Sequence, residues 1–208
     1  MAPLDTIQIV DLKINNLGSL VSALKELEYV VSVVSNGMEL NQNLITFLPG
    51  TGNFASAAQA LDDLSFRAPI LDMAEKGAGI LGVCLGSQLL LDYSEEGEGA
   101  IGLGLIQGFS SMLAFSKTES VPVLGWRKTH FPSHFTSFDL DWFYFAHSYQ
   151  MKTEVEESRV GYYERHGHEE VTAMISNQRN VVGMQFHPEK SGPSGLRLLR
   201  AAIESTRI

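Results

Sequence analysis

Apolar runs and amphipathic stretches alternate along the first ninety residues. Residues 6–11 (TIQIVD) form a short apolar run, followed by a polar loop holding Asn15 and Asn16. Residues 17–28 then place Leu17, Leu20, Val21, Leu24 and Leu27 on one face at helical spacing. The first segment reads as a strand and the second as a helix that buries one stripe. Residues 30–34 and 44–48 are two further strands, the latter stopped by Pro49-Gly50-Thr51-Gly52, a turn in which glycine permits positive φ. Helical periodicity returns at residues 54–64 and 69–76, and residues 79–83 make another short strand. Strands alternating with helices pair in parallel through crossover connections, which predicts a doubly wound sheet.

Beyond about Gly97 the helical period fades and β-prone runs take over: residues 142–146 (WFYFA), 171–176 and 181–186, with a closing helix at 191–204. These later strands are expected to be antiparallel additions to the same sheet, with Trp142, Phe143 and Phe145 in the core. Residues 152–157, the most charged stretch, are expected to be a solvated loop. The fold class is therefore α/β: a single doubly wound domain over residues 1–208, with a mostly parallel central sheet and antiparallel additions.

Composition narrows the function. Against 24 Asp+Glu stand 15 Lys+Arg, a formal net charge of −9, and such a surface repels nucleic acid. No stretch reaches the roughly 18 uninterrupted apolar residues of a membrane span, and Met1-Ala2-Pro3-Leu4-Asp5 has no basic flank leading into an apolar run. No nucleic-acid or membrane partner is expected, and the location is expected to be cytoplasmic. The one cysteine, Cys84, can form no internal disulfide, which agrees with a reducing compartment. His166 and His168 have metal-like spacing but no third ligand nearby, so they are expected to be a loop pair, and neither metal nor cofactor is expected.

Cys84 sits in Gly82-Val83-Cys84-Leu85-Gly86, directly after an apolar strand and directly before the helix-like Ser87-Gln88-Leu89-Leu90-Leu91. Small residues two before and two after a nucleophile are what a tight strand-to-helix elbow requires, because that turn is strained and leaves no space for side chains. The sulfur would then stand at a helix N-terminus, with the Leu85 amide pointing toward an oxyanion formed beside it. On the pentapeptide alone, a buried structural thiol at the end of a core strand is an equal reading.

A second cluster shifts the balance. Gln185-Phe186-His187-Pro188-Glu189 ends the strand at 181–186. A thiol nucleophile needs an imidazole to manage its proton, and the imidazole needs an acceptor to fix its tautomer. His187 and Glu189, two positions apart on an extended segment, supply both. If Cys84 and His187 cap neighbouring parallel strands, they meet at the carboxyl edge of the sheet, where open α/β sheets carry their sites. Gly50, Thr51 and Gly52 fall on that same edge, and consecutive amides in a Gly-containing turn can hold the negative oxygen of a tetrahedral acyl intermediate.

Taken in order, the Pro-Gly-x-Gly loop, Gly82-Val83-Cys84-Leu85-Gly86-Ser87-Gln88 and His187-Pro188-Glu189 resemble the class I, triad-type glutamine amidotransferases, which have a flavodoxin-like architecture. Within that class the chain is most similar to the glutaminase subunits of imidazole glycerol phosphate synthase. That likeness rests on Ser94-Glu95-Glu96-Gly97, Gly102-Leu103-Gly104-Leu105-Ile106, Tyr144-Phe145-Ala146-His147-Ser148-Tyr149 and the continuation Lys190-Ser191. The resemblance implies that Cys84 attacks the carboxamide of glutamine and that His187 and Glu189 complete the triad. It implies an oxyanion held at Gly50, Thr51, Gly52 and Leu85, and glutamine bound by Gln88, Glu96, His147, Ser148 and Tyr149. Since the glutaminase fold takes up all 208 residues, the acceptor enzyme is expected as a separate (βα)₈-barrel cyclase in a heterodimer, receiving ammonia through a shielded passage.

Two segments depart from the family pattern. Asp11-Leu12-Lys13-Ile14-Asn15-Asn16-Leu17 stands where Asp-Tyr-Gly-Met-Gly-Asn-Leu is typical, and Pro122-Val123-Leu124-Gly125-Trp126-Arg127 where Pro-His-Met-Gly-Trp-Asn is typical. By resemblance both face the partner. A paralogous subunit that feeds another acceptor, such as one amidating surface-polysaccharide sugars, therefore stays open, as does a catalytically silent gating partner. A stand-alone cysteine hydrolase would have no need of Gln88, Glu96 and His147-Ser148-Tyr149.

Overall fold

A computed structural model describes residues 5–14, 16–115, 120–165 and 169–207. His166 and His168 lie outside the described residues. The N-terminal half follows the alternation of its sequence: β1 (Thr6–Val10), α1 (Gly18–Glu26), β2 (Val30–Val34), β3 (Ile45–Gly50), α2 (Phe54–Asp63), α3 (Arg67–Glu75), β4 (Ile80–Cys84) and the short α4 (Leu85–Leu89). After it come β5 (Tyr93–Ser94), β6 (Ala100–Ile101), β7 (Gly108–Met112), β8 (Val123–His130), β9 (Trp142–His147), β10 (Tyr149–Thr153), β11 (Arg159–Arg165), β12 (Glu169–Ser176), β13 (Val181–Met184) and α5 (Gly192–Ser205).

Nine strands form one sheet in the order β2-β1-β3-β4-β13-β12-β11-β8-β9. The first five are mutually parallel, and β12, β11, β8 and β9 continue the sheet antiparallel. Alternate residues of the parallel strands serve two cores. Ile7, Ile9, Phe47, Leu81 and Val83 pack with Leu20 and Leu24 of α1 and Leu198, Leu199, Ala202 and Ile203 of α5. Val10, Leu48 and Ile80 pack on the other face with Phe54, Ala57 and Leu61 of α2 and Ile70 and Met73 of α3. Each fully buried Leu or Ile stabilises by about 1.5–3 kcal/mol, so both helical layers are clamped to the sheet by their apolar stripes.

Four expectations are corrected. The later strands do not all join the main sheet as antiparallel additions: β13 lies parallel beside β4, and β10, β7, β5 and β6 make a separate four-stranded sheet, whose two-residue members are too short to leave a period in the sequence. β3 runs on through Pro49 and Gly50, because an extended proline is compatible with a strand end despite its missing N–H. Trp142 is 55% exposed while Phe143 and Phe145 are buried, since strand alternation on β9 turns Trp142 outward. Lys152 and Thr153 close β10 rather than lying in a loop.

Candidate active site

β3, β4 and β13 are adjacent and parallel, so Gly50, Cys84 and the segment after Met184 emerge together at one carboxyl edge. Cys84 has φ 54° and ψ −114°, a conformation that favours glycine and costs a side-chain-bearing residue on the order of 1–3 kcal/mol. The elbow geometry also explains its flanking glycines. A Cβ on Gly86 would lie 1.7 Å from the Leu48 carbonyl oxygen, and one on Gly82 would lie 2.6 Å from that of Gly86. Only a residue without a side chain lets the strand end and the first turn of α4 pass so close to β3. Since α4 has only five residues, its dipole is small, and most of the control over the thiol falls to the histidine.

The main-chain N–H of His187 donates to the Tyr144 carbonyl at 2.9 Å, and the Ser191 hydroxyl, itself accepting from the Tyr144 N–H at 2.9 Å, donates to the His187 carbonyl at 2.6 Å. These bonds tie the segment after β13 to the edge strand β9. The ring Nδ1 lies 2.8 Å from Glu189 Oε1, with the two side chains 5% and 7% exposed. A carboxylate can only accept, so Nδ1 carries the hydrogen and Nε2 is left for the sulfur. Burial disfavours the charged ring, but hydrogen bonding to Cys84 and Glu189, together with their negative charge, outweighs it and raises His187 from 6.5 to about 9. The Cys84 Sγ is also 3.8 Å from the Ala146 carbonyl oxygen.

A cavity of about 410 Å³ opens over the sulfur, lined by Thr51, Gly52, Leu85, Gln88, Glu96, His147, Ser148, Tyr149 and His187 among others. Of the residues singled out in the sequence, Gly50 and Glu189 do not line it. Gly50 is paired with Cys84 in the sheet, and Glu189 stands behind His187. Glu96 Oε2 accepts from the Phe54 N–H at 2.7 Å, at the start of α2, which leaves its other oxygen for a ligand. His147 is in the lining, but its ring is engaged within the protein: Nδ1 is 2.8 Å from the Tyr149 carbonyl oxygen and Nε2 is 3.1 Å from the Tyr163 hydroxyl. Burial lowers His147 to about 4, so it is neutral near pH 7.

Sequence reasoning missed Ala146, Pro122, Leu124 and Lys190 in the lining. Lys190 directly follows the His-Pro-Glu run, and that adjacency is the one signal that could have marked it. Leu124 and Trp126, 60% and 47% exposed, lie on the outward face of β8; Leu124 lines the pocket, and Trp126, two residues on, packs edge-to-face on Tyr144 at 6.2 Å.

A glycine-flanked cysteine at a strained elbow, a histidine oriented by a carboxylate and a pocket of about 410 Å³ over the sulfur converge with the comparisons. The chain belongs to the class-I glutamine amidotransferase family, whose family model matches residues 8–204. Within that class it groups with the imidazole glycerol phosphate synthase subunit HisH. It is 39% identical over 207 residues to the HisH of Moorella thermoacetica, covering 97% of this chain and 95% of that one. It is 36% identical over 194 residues to the HisH of Methanopyrus kandleri, covering 93% and 94%. Among solved structures, PurLQS from Thermotoga maritima superposes with a TM-score of 0.76 at 20% identity, over 98% of this chain and 100% of that one, a likeness of fold.

Proposed function

We propose that the chain hydrolyses glutamine through a Cys84 thioester and delivers the ammonia to a (βα)₈-barrel cyclase that makes imidazole glycerol phosphate. The observation that carries this reading is the Cys84, His187 and Glu189 arrangement beneath a pocket that also presents Gln88 and Glu96. Cys84 Sγ forms a bond to the carboxamide carbon, and the carbonyl oxygen takes the negative charge beside the Leu85 amide and the Gly50-Thr51-Gly52 segment. His187, protonated near neutral pH, gives its Nε2 proton to the amide nitrogen as the C–N bond breaks, and ammonia leaves. Once the sulfur is acylated its charge is gone, so one cause of the raised His187 value disappears and the ring, its proton given up, stays neutral and available as a base. It then takes a proton from water as the water oxygen attacks the thioester carbon; the C–S bond breaks, glutamate departs, and the charged sulfur and protonated His187 ring are restored.

Glu96, with one oxygen uncommitted, suits the α-ammonium of glutamine, while Ser148 and Tyr149 wall the pocket. The exposed apolar side chains Leu124, which lines the pocket, and Trp126 and Trp142, further along the β8–β9 ladder, support a docked partner that shields the departing ammonia from protonation. All of residues 1–208 act as one glutaminase unit in this reading, and a cytoplasmic location fits it; among the described residues no helix is long and apolar enough to cross a membrane.

The test is ammonia release from glutamine by the chain alone and with a (βα)₈-barrel cyclase, together with trapping of a glutamyl adduct on Cys84. Adduct formation and a rate raised by the cyclase and its phosphorylated substrate are expected. Stimulation by a different acceptor enzyme would redirect the ammonia to another pathway, and no turnover in either condition would leave the chain a silent partner.

A further inference from the structure

Gln185 is wholly buried just after β13, two residues before His187, and among the described residues no hydrogen bond joins its side chain to the triad. Its Oε1 is 3.1 Å from Gln88 Nε2, and Gln88 Nε2 is also 3.1 Å from the Tyr149 carbonyl oxygen. The polarity of this chain of contacts is set by chemistry. The Tyr149 carbonyl has no hydrogen to give, so the amide group of Gln88 that faces it is the nitrogen. That nitrogen has two hydrogens, and Tyr149 and Gln185 use both. The far end is equally fixed, because the same carbonyl takes the Nδ1–H of His147, whose Nε2 accepts from the Tyr163 hydroxyl. What remains of Gln88 is its Oε1, which has no protein partner among the described residues, on a side chain that lines the pocket above Cys84.

We propose that Gln185 is a positioning residue for the substrate: it locks the Gln88 amide so that only its carbonyl oxygen is offered to the pocket, where it accepts an N–H of the glutamine α-ammonium. The inference rests on the glutaminase reading above and deepens it. Two acceptors, Gln88 Oε1 and the uncommitted oxygen of Glu96, line one pocket, and an ammonium group with three N–H donors satisfies both. With Gln185 absent, nothing would hold the second amide hydrogen of Gln88, and its amide could turn to present N–H to a cation. Among the described residues the Gln185 Nε2 has no hydrogen-bond partner although it is buried, a destabilising arrangement that an apolar side chain of the same length would avoid. The position therefore serves its acceptor oxygen rather than packing alone.

The test compares Gln185→Met, which removes the acceptor at similar volume, with Gln185→Glu, which keeps an acceptor oxygen whether or not it is ionised. L-glutamine binding is measured by calorimetry on full chains that also carry Cys84→Ala, so that no substrate is consumed. Gln185→Met is expected to weaken binding by about tenfold, the size set by one charge-assisted hydrogen bond, while Gln185→Glu stays within about threefold of the parent. With Cys84 intact, Gln185→Met is expected to raise KM by a similar factor and to lower kcat by less than about threefold. The proposal fails if Gln185→Met binds glutamine as the parent does, if Gln185→Glu is weakened as much as Gln185→Met, or if the loss falls on kcat. Should the Cys84→Ala parent bind no glutamine at all, the glutaminase reading itself falls and this inference with it.

Discussion

Gly50 and Cys84 stand opposite each other at the ends of two adjacent parallel strands, and a methyl group on Gly50 would lie 2.7 Å from the Gly86 amide nitrogen and 2.7 Å from the Leu85 Cβ. The nucleophile and the loop expected to hold the oxyanion are thus packed backbone against backbone. Gly50→Ala must push β3 away from the elbow, because the atoms it meets are main chain and the root of a buried side chain. A loss of about 1–3 kcal/mol in a denaturant melt is expected, with a larger proportional loss of ammonia release, since sub-ångström placement matters more to the chemistry than to the fold.

The strain at Cys84 can be weighed by itself. Cys84→Gly and Cys84→Ala both lack sulfur and both are expected to release no ammonia. They differ by a Cβ held at φ 54°. Relief of that strain exceeds the extra entropy of an unfolded glycine, so Cys84→Gly is expected to be the more stable of the two by about 1 kcal/mol. Equal melting midpoints would show that the elbow is relaxed.

His187 also makes stability depend on pH. Its folded value lies above the ordinary one, so the folded chain holds a proton that the unfolded chain releases between pH 6.5 and about 9. The stabilisation is complete below that window and disappears as pH rises through it. In Glu189→Gln the carboxylate that helps raise His187 is gone. Denaturant midpoints measured across the window are expected to fall less steeply for that variant than for the parent, the other titrating groups being common to both.

The docking surface has its own readout. Trp126 is exposed on β8, two residues from the pocket-lining Leu124, but does not itself line the pocket. Trp126→Ala is expected to leave the basal ammonia release of the isolated chain unchanged while weakening binding of the cyclase by about 2 kcal/mol, as buried aromatic anchors do. Titration of one chain with the other, followed by ammonia release, measures both.

Much of the core was legible before any coordinates. The stripe Leu20 and Leu24 on α1 and the strands expected at 30–34 and 44–48 were visible because a helical stripe and short apolar runs bounded by polar or turn residues persist in the sequence, although β3 continues to Gly50. The antiparallel half was read less well. β5 and β6 are two residues each, and Trp142 looked like core because an aromatic run carries no sign of which alternate residues face water. Gln185 was seen only as the residue that opens the His-Pro-Glu segment. Its contact with Gln88 joins positions 97 apart in the chain, a separation at which no local pattern speaks.

The sequence alone determined the chemistry that is local: a cysteine between glycines, a spacing that a strand-to-helix elbow requires, and a histidine two residues from the glutamate that orients it, because those relationships are set by bonded geometry over a few residues. Tertiary structure alone decided that β13 lies parallel beside β4, which brings His187 to Cys84, and which atoms of Gln88 are already spent before a ligand arrives. Those outcomes depend on how strands far apart in the chain pair and on which hydrogen-bonding groups are left over once the core has closed.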